Sequence, residues 1–284
     1  MISNIEILYG LANRCRKYGI KNSKSYSESN PLSRFLEICD GVDGAEVYGW
    51  DPSDLLILKN KKSCSNFTKI DILKFDCSNI KSLIEKHKSK YNTTYFKGIY
   101  IHNKIDEQVI DKYKLIYKDF KRMFNIKIGF SIYDQKEIDL ILTNNLKFDI
   151  LQVPYNLNVQ IDYDQLKKLD CDIYLRSIFL QGVYFSDLQG KFTSKIIKKI
   201  NLQKNYLLNK AKNYNFNLGQ YLFSNGLSFC KKNKFKGLVI GSSSFQRFKS
   251  YILNHKFIKT NEFELTNRFD MIDDYLADPR LWKI

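Results

Sequence analysis

Polar side chains stand where short apolar runs end. Lys59 follows Leu55-Leu56-Ile57-Leu58, His102 and Asn103 follow Gly98-Ile99-Tyr100-Ile101, and Ser131 follows Lys127-Ile128-Gly129-Phe130. Further on, Gln152 and Asn156 bracket the end of Asp149-Ile150-Leu151-Gln152-Val153, and Arg176, Ser177, Gln181 and Gly182 follow Ile173-Tyr174-Leu175. Gly241-Ser242-Ser243-Ser244 comes directly after Gly237-Leu238-Val239-Ile240. These are hydrogen-bonding and proton-carrying groups. No Asp/Glu/His cluster joins them, so no metal site is expected.

The runs are the strands of a parallel sheet, apolar on both faces, and the longer segments between them change to a helical period. Val109, Tyr113, Ile116, Phe120 and Met123 trace one helix face, and Ile80, Leu83, Ile84 and His87 trace another. Asp134 is the expected N-cap of a helix carrying Ile138, Ile141 and Leu142, while Leu218, Tyr221 and Leu222 mark a further helix. Strand-then-helix repetition predicts either a closed (β/α)8 barrel or an open doubly wound sheet. No GxGxxG follows any of the runs, which favours the barrel. In a barrel, residues just past the C-terminal strand ends form the catalytic face.

At 284 residues the chain suits one barrel, so a single domain over residues 1–284 is expected. The opening MISNIEILYG lacks the pattern of a secretory signal, and no run is long enough to span a membrane, so a soluble cytoplasmic protein is expected. The six cysteines have no CxxC spacing and read as reduced structural thiols. The formal charge of +16 raises nucleic acid as a partner. The lysines, however, come with a matching excess of Asn, Ile, Tyr and Phe, which reads as composition bias, so neither nucleic acid nor membrane is expected as a partner.

The segments GIYIHN, KIGFSIYD, FDILQVPYNLN, LRSIFLQG and GLVIGSSSFQRF, in this order, with the closing FDMIDDYLADPRLW, resemble the bacterial branch of the aldo-keto reductase family. The resemblance covers residues 55–284 well and leaves residues 1–54 divergent, which implies an aldo-keto reductase-like barrel with a shortened or degenerate N-terminal strand-helix unit. It implies NADP(H)-dependent reduction of a small-molecule carbonyl, or oxidation of the alcohol, with sugars among the candidate substrates. In the family a tyrosine gives the proton, a lysine ammonium favours the phenolate, and a histidine orients the carbonyl oxygen. By resemblance His102 takes the orienting role and Lys59 the electrostatic one. Ser131 and Gln152 match positions that bond the nicotinamide carboxamide, and Arg176 matches the position packed against the ring. Gln181 and Gly182 match the pyrophosphate approach; Gly241, Ser242, Ser243, Gln246 and Arg247 match the loop and helix that hold the adenosine phosphate.

Two alignments compete for the N-terminal quarter. The first sets Asp43 and Tyr48 on the family's Asp-x-x-x-x-Tyr-Gly motif and Tyr9-Gly10-Leu11-Ala12-Asn13 after the first strand. It leaves six residues between Tyr48 and the run at Leu55, too few for a parallel crossover. The second makes Ser3 the N-cap of a helix with Ile5, Leu8, Ala12 and Cys15 on one face, leaves the first strand missing, takes residues 31–38 as the second helix, and offers Tyr26 as proton donor. Lys21 then occupies the aspartate position. Chain reach favours Tyr26, with Asp43 and Tyr48 as the alternative pair. A barrel that binds NADP(H) without turnover is the alternative function.

Overall fold

The computed structural model describes residues 5–12, 31–45, 52–60, 64–74, 96–124, 126–260 and 274–282. Eight parallel strands close on themselves in sequence order: β1 Glu6–Gly10, β2 Gly41–Asp43, β3 Phe67–Ile70, β4 Gly98–Ile101, β5 Lys127–Ser131, β6 Ile150–Pro154, β7 Asp172–Arg176 and β8 Gly237–Ile240. The ring is completed by β1 against β8, with Glu6 opposite Gly237 and Tyr9 opposite Ile240. Five of these strands lie on the apolar runs expected to form them. Helices follow on the outside: α1 Leu32–Leu36, α2 Pro52–Asn60, α3 Glu107–Phe124, α4 Gln135–Thr143, α5 Tyr163–Leu166, α6 Ser194–Lys212, α7 Leu218–Asn233, α8 Phe245–Thr260 and α9 Asp274–Ala277.

Side chains alternate along a strand, so every second residue shares a face. One such set, Leu8, Phe67, Tyr100, Ile150, Tyr174 and Val239, forms a buried cluster drawn from six strands. The rings of Phe67 and Tyr174 lie 5.1 Å apart and those of Phe67 and Tyr100 5.6 Å apart. Where backbones come closest the sequence has glycine. A Cβ on Gly129 would stand 1.6 Å from the Ile150 carbonyl oxygen. Gly129→Ala therefore has to part β5 from β6, and we expect it to lower the stability read from the urea midpoint by about 3 kcal/mol or more. An unchanged midpoint would contradict the close packing of these two strands.

The outer layer bears out the helical periods that the described residues cover. Val109, Tyr113 and Ile116 on α3 are buried. Asp134 caps α4, its side chain accepting from the Glu137 N–H at 3.0 Å. On α7, Leu218, Tyr221 and Leu222 pack into the second core cluster. The helix expected around Ile80 to His87 lies outside the described residues. Among the described residues no helix is long and apolar enough to cross a membrane.

The N-terminal quarter corrects the sequence reading. Residues 6–10 are β1, not a helix, so the first strand is present; Ile7, Leu8 and Tyr9 are all buried, as a strand covered on both faces requires. The barrel has all eight strands, so the strand expected to be missing is there. Leu55 to Leu58 is not a strand but part of α2, with Leu58 buried and Leu56 exposed. Pro52 at the first helical position and Asp54 in the first turn are the start signals of that helix. A four-residue apolar run does not by itself distinguish strand from helix. The strand that follows β2 begins at Phe67, so the crossover objection to the Asp43 and Tyr48 alignment was measured to the wrong element.

Candidate active site

Two residues beyond each member of that buried inner layer, the same face continues as Gly10, Lys69, His102, Gln152, Arg176 and Gly241. These stand at the C-terminal ends of β1, β3, β4, β6, β7 and β8. All except Gln152 line one cavity of about 480 Å³, together with Asp43 from the end of β2. Alternation in the strands thus carries a plug of aliphatic and aromatic side chains directly into a polar rim. The β3 and β4 ends are tied to each other: the His102 N–H donates to the Ile70 carbonyl at 3.0 Å, and Asn103 Oδ1 accepts from the Ile72 N–H at 2.7 Å.

Lys69 and Asp43 form a buried ion pair, Lys69 Nζ donating to Asp43 Oδ2. Lys69 is 3% exposed and Asp43 5% exposed. Burial pulls the Lys69 ammonium below its ordinary pKa; Asp43 opposes that shift and the Arg176 guanidinium adds to it. The other carboxylate oxygen of Asp43 accepts from Gln152 Nε2 at 3.1 Å, and Gln152 Oε1 accepts from Ser131 Oγ at 3.0 Å. A chain of three hydrogen bonds therefore runs from β5 through β6 and β2 to the lysine on β3. Arg176 is fixed by Nη2 on the Ile132 carbonyl at 2.6 Å and Nη1 on Ser177 Oγ at 2.9 Å.

The other end of the cavity suits an anion. After β7 the backbone takes left-handed conformations at Leu180, Gln181 and Gly182, with φ of 44°, 50° and 87°. Only the glycine does so without strain, and such strain collects at ligand-holding loops. After β8, Ser242 Oγ accepts from the Ser244 N–H at 3.3 Å, and Arg247 Nη2 donates to Ser243 Oγ at 3.2 Å. The Tyr9 hydroxyl donates to the Ser242 carbonyl at 3.0 Å, which ties this loop to β1. Hydroxyls, an arginine and the first turn of α8 converge there.

Of the residues expected from sequence, Asp43, His102, Arg176, Gln181, Gly182, Gly241, Ser242, Ser243 and Arg247 share this cavity. Ser131 and Gln152 stand at the ends of β5 and β6 but behind the cavity wall, their polar atoms taken up by each other and by Asp43. Gln246, on α8, bonds Ser244 and does not line the cavity. Lys59 lies within α2 and not at a strand end. Tyr26 and Tyr48 lie outside the described residues. Sequence reading passed over Lys69, which interrupts the apolar run of β3, and Tyr133 and Tyr251. The signal that finds Lys69 is the alternation itself, two steps on from Phe67.

No family model matches the sequence, and no curated protein matches it. Solved structures do. An aldo-keto reductase of Bacillus halodurans, in its holo form, superposes with a TM-score of 0.63 at 13% identity, over 94% of this chain and 91% of that one. An aldo-keto reductase of Bombyx mori in complex with NADP gives 0.60 at 16% identity, over 94% and 88%. A glycerol dehydrogenase of Gluconobacter oxydans gives 0.59 at 11% identity, over 92% and 94%. At these identities the likeness is one of fold, and it spans nearly the whole of each chain: this protein has the (β/α)8 barrel of the aldo-keto reductases.

Proposed function

We propose that this protein is an NADP(H)-dependent oxidoreductase of the aldo-keto reductase type that reduces the carbonyl of a small molecule, with sugars and other polyol-related carbonyls as the substrates to try first. The observation that carries this reading is the buried Asp43 and Lys69 pair, set in one cavity with His102 and Arg176. A phenol with an ordinary pKa near 10 gives up its proton poorly at neutral pH unless a cation stands beside it. Lys69 is that cation, and Asp43 holds it in place. His102 orients the carbonyl oxygen. The proton donor we assign is Tyr48, five positions after Asp43 and followed by Gly49, as the family's Asp-x-x-x-x-Tyr-Gly motif requires. When bound, the nicotinamide supplies the hydride to the carbonyl carbon.

The donor groups present fit that cofactor. Arg176 offers a planar guanidinium face for the nicotinamide ring. Gln181 and Gly182, in their left-handed turn, line the part of the cavity assigned to the pyrophosphate, and Gly241, Ser242, Ser243 and Arg247 the part assigned to the adenosine phosphate. Ser131 and Gln152 act through Asp43. The alternative, a barrel that binds NADP(H) without turnover because its N-terminal quarter no longer donates a proton, predicts saturable NADPH binding with no turnover on any substrate; the Asp43 and Lys69 pair supports the active reading.

The test is a titration followed by turnover. NADPH should quench the protein's fluorescence saturably, and NADPH should be consumed with at least one member of a panel of aldehydes, sugars and ketones. His102→Ala and Tyr48→Phe should each lower kcat by about 10²- to 10⁴-fold, with Tyr26→Phe left near wild type. Turnover indifferent to both His102→Ala and Tyr48→Phe would remove the assignment.

A further inference from the structure

Asn156 and Asn158, in the loop after β6, have no role assigned so far, and both are buried, at 8% and 0% exposure. Gln203 is as unexpected: it stands on the buried face of α6 between Ile200 and Leu207. Buried amides are costly unless they are hydrogen-bonded. Here they close a ring with a third buried side chain, Tyr184. The Tyr184 hydroxyl donates to Gln203 Oε1 at 2.8 Å, Gln203 Nε2 donates to Asn158 Oδ1 at 2.8 Å, and Asn158 Nδ2 donates to the Tyr184 hydroxyl at 3.4 Å. Asn156 extends the ring. Its Oδ1 accepts from the Asn158 N–H at 3.0 Å, and its Nδ2 donates to the Ser177 carbonyl at 3.5 Å.

The two ends of this network bracket one stretch of chain. Ser177 and Tyr184 bound the segment that carries Gln181 and Gly182 into the cavity. Within it Ser177, at φ 60°, is left-handed as well as Leu180, Gln181 and Gly182, and only the last of these is a glycine. A strained backbone of this kind persists only where its surroundings over-determine it. Bonds inside the segment supply part of the hold: the Leu180 N–H donates to the Ser177 carbonyl at 3.0 Å, and the Gly182 N–H to the Phe179 carbonyl at 2.9 Å. These set the shape of the turn. The network ties that turn to the β6 loop and to α6.

We propose that Asn156, Asn158, Tyr184 and Gln203 form a clamp that holds the turn after β7 in its left-handed shape, so that a ligand phosphate meets a turn already ordered. None of the four lines the cavity, and all are positioning residues. Ordering the turn before the ligand arrives removes that cost from binding, so the gain is in affinity and not in the chemical step. The identity of the ligand as NADP(H) rests on the oxidoreductase reading, but the ring of hydrogen bonds and the turn it holds are properties of the protein alone.

Tyr184→Phe tests the clamp by removing one hydroxyl while the aromatic ring stays in the core. Ile200→Val is the control: it trims a buried residue one turn before Gln203, in the same core cluster, at a similar cost in stability. Hydrogen–deuterium exchange of peptides covering residues 177–186 reads local opening of the turn. Tyr184→Phe should raise that exchange about three- to tenfold, the worth of one hydrogen bond, and NADPH should restore protection; Ile200→Val should leave it near wild type. The NADPH dissociation constant, read by fluorescence quenching, should rise about three- to tenfold in Tyr184→Phe, with kcat at saturating NADPH unchanged. Gln203→Met, which breaks the ring from the α6 side, should act in the same direction. Exchange that is unchanged in both clamp variants, exchange that rises equally in Ile200→Val, or a faster-exchanging turn with NADPH affinity unchanged overturns the proposal. A selective rise in exchange in a protein whose wild type does not bind NADPH leaves the clamp standing and removes the oxidoreductase reading instead.

Discussion

If the proposed NADPH-dependent carbonyl reduction is this protein's activity, Lys69→Met is expected to lower its kcat by about 10²- to 10⁴-fold, and Lys59→Met to leave it near wild type. Both lysines follow or interrupt apolar residues, and only the structure separates them. Lys69 is on the inner face of β3, buried, bonded to Asp43 and 5.8 Å from the Tyr100 ring centroid. Lys59 belongs to α2, an outer helix. In the proposed mechanism the Lys69 ammonium is the cation that favours the phenolate of the donor, and the methionine supplies no such charge. Steady-state kinetics on the two variants, with circular dichroism as a check on folding, decides the matter. Loss of activity in Lys59→Met with Lys69→Met intact would move the chemistry off this rim.

The second large effect is on stability. Asp43→Asn leaves the Lys69 ammonium buried without its counter-charge, and breaking one partner of a buried pair costs about 3–5 kcal/mol. The pH dependence follows from the direction of the Lys69 shift. Its folded-state pKa is already lowered by burial and falls further once Asp43 no longer opposes that. The unfolded chain then binds the proton that the folded protein sheds, so stability rises with pH between the folded and the unfolded pKa of the lysine. Urea midpoints of Asp43→Asn should therefore climb from neutral pH toward pH about 10 more steeply than those of the wild type. The double variant Asp43→Asn with Lys69→Met removes both charges and should recover most of the lost stability while remaining inactive. A double variant no more stable than the single one would mean that the pair is not an isolated electrostatic unit.

What the sequence disclosed follows from how each strand is built. Gly237–Ile240 and Gly98–Ile101 are unbroken apolar runs covered on both faces, and they read as strands with their correct bounds. The first three strands do not announce themselves in this way. β2 has only three residues and ends on the charged Asp43, and β3 is interrupted by Lys69. In both, the residue that hides the strand is a residue of the site. β1 was misread because Ile5, Leu8 and Ala12 happen to fall at helical spacing, while the strand's own alternation is masked by burial on both sides.

The site divides along the same line. Arg176, Gln181, Gly182 and the Gly241 to Ser243 loop stand at or just past the ends of strands legible in the sequence, and they line the cavity. With Leu55 to Leu58 read as a strand, Lys59 stands at a strand end; in the structure Lys59 is on a helix and Lys69 is on β3 beside Asp43. With that run restored to a helix, chain reach supports the Asp43 alignment it had counted against. The Tyr133 contact with His102 and Arg176 joins loops after β4, β5 and β7, and no spacing along the chain reveals it.

The most direct measurement is the fate of the transferred hydrogen. The protein is incubated with NADPH deuterated at the transferable position of the nicotinamide and with a carbonyl from the panel, and the product is read by mass spectrometry. The account predicts a single deuterium on the former carbonyl carbon, lost when Lys69 or His102 is replaced. A reduced product without deuterium, or a protein to which NADPH does not bind saturably, would contradict it.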